Sequence, residues 1–149
     1  MIWLLSGLLA AQAPSPSPRV PDTIALLEID PAPAIELTAG RETRIRARVE
    51  YLLQSTDKAA IMLALQDQSG QNLTGKTAQV KRAVKRGRDT VTLEDCVIVP
   101  AQAQFLEVFI ALTYRPKTLT TAVARVRYPV KPSTVASLAE EGPPVPGPR

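Results

Sequence analysis

Thr43-Arg44-Ile45-Arg46-Ala47-Arg48-Val49-Glu50-Tyr51-Leu52-Leu53 alternates almost residue by residue. Ile45, Ala47, Val49, Tyr51 and Leu53 fall on one side, and Arg44, Arg46, Arg48 and Glu50 on the other. A period of two over this length is the pattern of a β-strand with one dry and one wet face. An antiparallel sheet can keep one side solvated, but its buried side must find a second layer. This stretch therefore points to a two-layer β architecture.

Further strand-like runs lie on either side, each bounded by turn residues. They are Thr23–Ile29 before Asp30-Pro31, Ala34–Thr38 before Ala39-Gly40, and Ala59–Gln66 before Asp67-Gln68-Ser69-Gly70. Lys76–Val84, Thr90–Val99, Gln104–Tyr114 and Thr121–Val130 follow. Short β-branched runs punctuated by Gly, Pro and Asp at this density predict a sandwich or barrel. Val91–Glu94, Val97–Pro100 and Phe105–Tyr114 resemble the last three strands of an immunoglobulin-like or fibronectin-III-like domain. The resemblance is one of pattern and covers Val20–Lys131. It implies an all-β, antiparallel two-sheet sandwich of about seven to eight strands. The domain has no Trp and no cysteine pair, and Tyr114 ends its strand, so antibody-type hallmarks are missing. Such a superfold implies no function by itself.

The flanks read differently. Residues 1–13 are apolar and end in Ala11-Gln12-Ala13, the small-x-small pattern of a cleaved signal peptide. The run is too short for a transmembrane span. A buried N-terminal strand is the competing reading. Residues 14–18 alternate Pro and Ser and form a linker. One domain, residues 19–131, follows. Residues 132–149 are a proline-rich tail, with a short helix possible at 133–141, where Ser133 could cap a turn carrying Val135 and Leu138. This order predicts a secreted or periplasmic protein.

Composition excludes several chemistries. The chain contains no histidine. Ser-His-Asp and Cys-His hydrolases and the usual zinc and copper sites are thereby excluded. The carboxylates show no calcium-loop spacing, and no glycine-rich phosphate loop occurs. Glu94-Asp95, the one adjacent pair in the domain, points to opposite faces of a strand, so a paired-carboxylate glycosidase could arise only through folding. No metal, cofactor or catalytic residue is expected, and the chain reads as a non-enzyme. Cys96 is the sole cysteine. It reads as a small buried hydrophobe, with an intermolecular disulfide as the alternative.

Two surfaces remain as binding candidates. The strands Ala59–Gln66 and Phe105–Tyr114 are apolar on both faces. If they are sheet neighbours, the outer surface presents Met62, Ala64, Phe105 and Phe109, bordered by Arg125 and Arg127. Phe, Met and Arg are enriched at protein interfaces, and contiguous exposed apolar area usually has a partner. The expected occupant is another protein or a second copy of the chain, unless the tail or a loop covers the patch. The second surface is Lys81, Arg82, Lys85, Arg86 and Arg88, five cations in eight residues. Residues 19–131 carry 17 Lys and Arg against 12 Asp and Glu, a net of +5. The segment could hold an anionic glycan or surface polymer, or it could simply protect a sheet edge. Nucleic acid is not expected, since no aromatics interleave the cations.

Overall fold

The computed structural model describes residues 20–73, 80–114 and 119–133. The expected signal segment, linker and tail helix (Ser133 aside) fall outside them, as do residues 76–79 of the expected strand Lys76–Val84. The described chain is all-β: β1 (Thr23–Asp30), β2 (Leu37–Thr38), β3 (Glu42–Gln66), β4 (Val80–Ile98), β5 (Phe105–Tyr114) and β6 (Leu119–Lys131). No described helix is long and apolar enough to cross a membrane.

Six strands appear among the described residues where seven to eight were expected, because neighbouring runs fuse. Thr43–Leu53 and Ala59–Gln66 are two halves of β3, and the region of Lys76–Val84 and Thr90–Val99 contributes two halves of β4. Ser55-Thr56-Asp57 does not turn the chain. Instead the β3–β4 ladder shifts register between Leu53 and Lys58 and then resumes. Gly87 stands opposite Leu53 at this irregularity with φ 120°, a conformation that L side chains rarely adopt.

The two halves of β3 have different neighbours. The first pairs antiparallel with β1 and with the second half of β4. The second pairs with the first half of β4 and with β5. β6 continues beyond β5, and β2 pairs with its end in parallel. In the first half of β3, Ile45, Ala47, Val49, Tyr51 and Leu53 are buried and the intervening arginines are exposed, as the alternation predicts. In the second half, Ile61, Leu63 and Leu65 join the same core, with Leu106, Val108, Ile110 and Leu112 from β5. β1 reaches it through Ile24, Leu26 and Ile29. A register shift between Leu26 and Glu28 leaves Leu27 exposed and returns Ile29 inward, which is what an extra residue does to a period of two.

Cys96 departs from its expected burial. It stands opposite Arg44 in the β3–β4 ladder and is half-buried, while Val97 beside it occupies the core. Neighbours on a strand face opposite sides, and the smaller, less apolar residue has taken the outer one.

Tyr128, in β6, is fully buried, and its hydroxyl donates a 2.6 Å hydrogen bond to the Pro31 carbonyl between β1 and β2. Burial, aided by the charge of Asp30, pushes its phenol from 10.0 up to about 12. Tyr128→Phe should cost about 1 kcal/mol by leaving that carbonyl unpaired. The raised value also has a sign. The phenol's contribution is complete below pH 10 and is lost as pH rises toward 12, because the unfolded chain ionises first. Thermal melts between pH 9 and 12 should therefore fall more steeply for the wild type than for Tyr128→Phe.

Candidate binding face

Directly opposed residues of an antiparallel ladder share a face. The second half of β3, the first half of β4, and strands β5 and β6 therefore build one outward surface in rows. One row is Lys81, Met62, Ala111 and Val123; the next is Ala64, Phe109 and Arg125. Gln66, Glu107 and Arg127 follow, and Phe105 lies opposite Pro129. All six residues read as partner-binding thus fall on this surface.

Their exposure is uneven. Met62, Phe105 and Phe109 are half-buried and Ala64 is buried, while Arg125 and Arg127 are exposed. The arginines do not merely border the rings. The Arg125 guanidinium carbon lies 5.0 Å from the centre of Phe109, and that of Arg127 lies 3.9 Å from the centre of Phe105. Glu107, between the rings, holds both: Arg125 Nη1 is 3.3 Å from Oε1 and Arg127 Nη2 is 3.0 Å from Oε2. The hydrogen bond from Arg127 is the largest influence on the Glu107 carboxyl. It overcomes burial and, with the two positive charges, holds the group below the usual carboxylate range. Cation–π contacts of this kind are worth about 0.5–1 kcal/mol when exposed. The aromatic end of the face is therefore a self-paired ladder. In the row of Met62 and Val123, Met62 is half-buried, Val123 is 40% exposed and Ala111 between them is fully buried.

The basic segment divides. Arg86 Nε lies 2.8 Å from Asp57 Oδ1, and its Nη1 donates to the Gln54 carbonyl at 2.8 Å, so it clasps the irregular stretch of β3. Arg88 Nη1 lies 3.5 Å from Glu50. Arg82 stands opposite the core residue Ile61 and reaches solvent at the rim of the sheet. Lys81 and Lys85 are exposed, and Lys85 lies directly opposite Lys58. Lys58 and Lys81 flank a depression of about 340 Å³ lined by Ala59, Ala60 and Ala83. Sequence reading missed Lys58, because its membership depends on ladder register. Alternation puts Glu107 on the Phe105 side of its strand, but only the β5–β6 ladder sets it against two arginines.

Two other depressions are lined by charged groups of both signs. One, of about 670 Å³, contains Asp22 and Arg86, both engaged with neighbouring groups. The other, of about 320 Å³, lies where Glu28 and Asp30 oppose Arg48 and Arg46 on adjacent strands. Among the described residues no cluster of His, Cys, Asp or Glu could hold a metal ion.

No protein-family model and no curated protein matches the chain. Among solved structures, a match is found to Bacteroides uniformis β-glucuronidase 2 covalently bound to cyclophellitol-6-carboxylate aziridine. Identity is 14%, the match covers 73% of this chain and 13% of that chain, and the TM-score is 0.41. At that score the likeness carries no argument about topology or chemistry.

Proposed function

We propose that the chain is an exported, non-catalytic binding module of immunoglobulin-like type, and that the outward face of β3, β4, β5 and β6 is its contact surface. The sandwich reading is supported by the exchange of neighbours halfway along β3, by the shared core, and by the parallel pairing of β2 with β6. Export is supported by the apolar residues 1–13 and the Pro-Ser linker. The observation that carries the binding reading is the row Met62, Ala111 and Val123. Its apolar side chains run across a sheet face between cations, with the Lys58/Lys81 depression at one end. Met62 is half-buried and Val123 exposed, on either side of the buried Ala111, and apolar groups flanked by charge are the composition of an interface core and rim.

The test is site-specific photo-crosslinking of the full chain in its source extract. A crosslinker at position 123 should capture a defined partner, and one at position 48, on the arginine face of β3, should not. Val123→Asp should abolish capture from a crosslinker at Met62 while changing stability by less than about 0.5 kcal/mol. Capture from position 48 alone would overturn the assignment.

The alternative is polyanion binding through residues 81–88. It is favoured by the exposure of Lys81, Arg82 and Lys85, but Arg86 and Arg88 already have carboxylate partners. Binding of that kind falls steeply with added salt, whereas apolar pairing does not.

A further inference from the structure

We infer that the first half of β4 accepts an extended acidic peptide segment of a partner protein, laid along its edge and held by Lys58, Lys81 and Lys85. The inference rests on the binding face proposed above and names the chemistry of its occupant.

Three observations carry it. First, Lys58 and Lys85 are direct cross-strand neighbours, and Lys81 shares their face two residues beyond Ala83. Like charges directly opposed are destabilising. Among the described residues no carboxylate pairs with any of the three; the nearest in sequence, Asp57, is engaged by Arg86. The cluster is thus a positive site without a counter-charge among the described residues. Second, residues 80–85 pair with β3 on one side only among the described residues, so their other edge offers main-chain donors and acceptors. Cations on an edge repel basic strands and resist desolvation by neutral ones, but they admit an acidic one. Third, the floor between Lys58 and Lys81 is Ala59, Ala60 and Ala83, small and apolar, and it suits a methyl group better than a hydrated sugar.

The same charges argue against a second copy of this chain. Lys58, Lys81, Lys85, Arg125 and Arg127 share the face, and Glu107, its carboxylate among the described residues, is held by two arginines. A symmetric pairing of this face with itself would set cations on cations.

The edge also specifies a pattern. A strand added antiparallel meets Lys85, Val84, Ala83, Arg82 and Lys81 in turn, which calls for acid, apolar, small, acid, acid. The probe is therefore fluorescent acetyl-Glu-Val-Ala-Asp-Glu-amide, titrated with the full chain and read by anisotropy. Binding is expected at low salt. Lys58→Glu with Lys81→Glu and Lys85→Glu should weaken it at least tenfold, and the corresponding Arg variants should retain it. N-methylation of alternate peptide amides should also weaken binding at least tenfold, because it removes main-chain pairing. Lys85→Gln should leave the melting temperature unchanged or raise it; a marked fall would assign the lysines to folding and overturn the proposal. Dextran sulfate binding as tightly, with N-methylation without effect, would overturn it in favour of a polyanionic polymer. Self-association abolished by the Lys→Glu variants would overturn it in favour of a second copy. Val123→Asp separates the two levels. If it abolishes crosslinking at the face while the peptide fails to bind wild type, the face stands and the acidic segment falls. If the peptide binds as expected but position 123 captures nothing, the edge site stands and the wider face falls.

Discussion

Val49→Asp is expected to abolish folding, whereas Arg46→Gln, three residues earlier, should leave the domain folded with a stability change within about 0.5 kcal/mol. Val49 is fully buried, opposed by Leu26 of β1 and Val91 of β4. A carboxylate there has no cation to meet and no water to reach. Burying an unpaired polar group costs about 2–7 kcal/mol, and a charge costs more. A domain of this size is stable by only about 5–15 kcal/mol. Arg46 is exposed on the other face, between Asp30 and Glu94 in the ladder. Gln is the informative replacement, since Asp would set three acids in one row. Urea denaturation of both variants checks the result. Equal losses would mean that the register of β3 is wrong.

Asp22→Ala is expected to lower stability by about 1–3 kcal/mol, the cost of losing hydrogen bonds to a charged acceptor. Asp22 sits just before β1 and is buried. Its carboxylate accepts the Gln54 amide at 2.7 Å, the Ser55 amide at 2.9 Å and the Ser55 hydroxyl. These are the residues where β3 leaves its ladder with β4, so the carboxylate replaces the missing strand partner. Burial alone would raise its pKa. The bonds from Ser55, Gln54 and Thr121 outweigh it and hold the carboxyl below its ordinary 3.8. A depressed value stabilises the fold fully above the unfolded-state pKa, and that stability is lost as pH falls through the folded-state value. Below about pH 4 the wild-type melting temperature should drop faster than that of Asp22→Ala. Asp67 and Glu107, also depressed by their hydrogen bonds, should leave part of the acid limb in the variant. Parallel curves would mean that folding does not lower the Asp22 pKa.

Local pattern alone determined much of this protein. The alternation of Thr43–Leu53 assigns its inward and outward residues, because strand periodicity follows from backbone geometry and one buried side. The turn at Asp67–Gly70 was legible from residue chemistry: the Asp67 carboxylate accepts the Ser69 amide at 2.8 Å, and Gly70 has φ 73°. The two-faced apolar pattern of Ala59–Gln66 and Phe105–Tyr114 was legible too, while the pairing that makes them neighbours belongs to the fold. The rest depended on which strand lies beside which, and in what register. Nothing local says that Leu53 and Lys58 belong to one strand, because Ser55-Thr56-Asp57 has the composition of a turn until Asp22 and Arg86 reach it from outside. Nothing local brings Arg125 and Arg127 over Phe109 and Phe105, since those contacts cross from β6 to β5. The basic run likewise looked uniform. Only pairing with β3 engages Arg86 and Arg88, turns Arg82 to the rim, and gathers Lys81 and Lys85 around Lys58. Side-chain type and period are properties of one strand, whereas charge partners are properties of a register, and register is decided by the packing of the whole core.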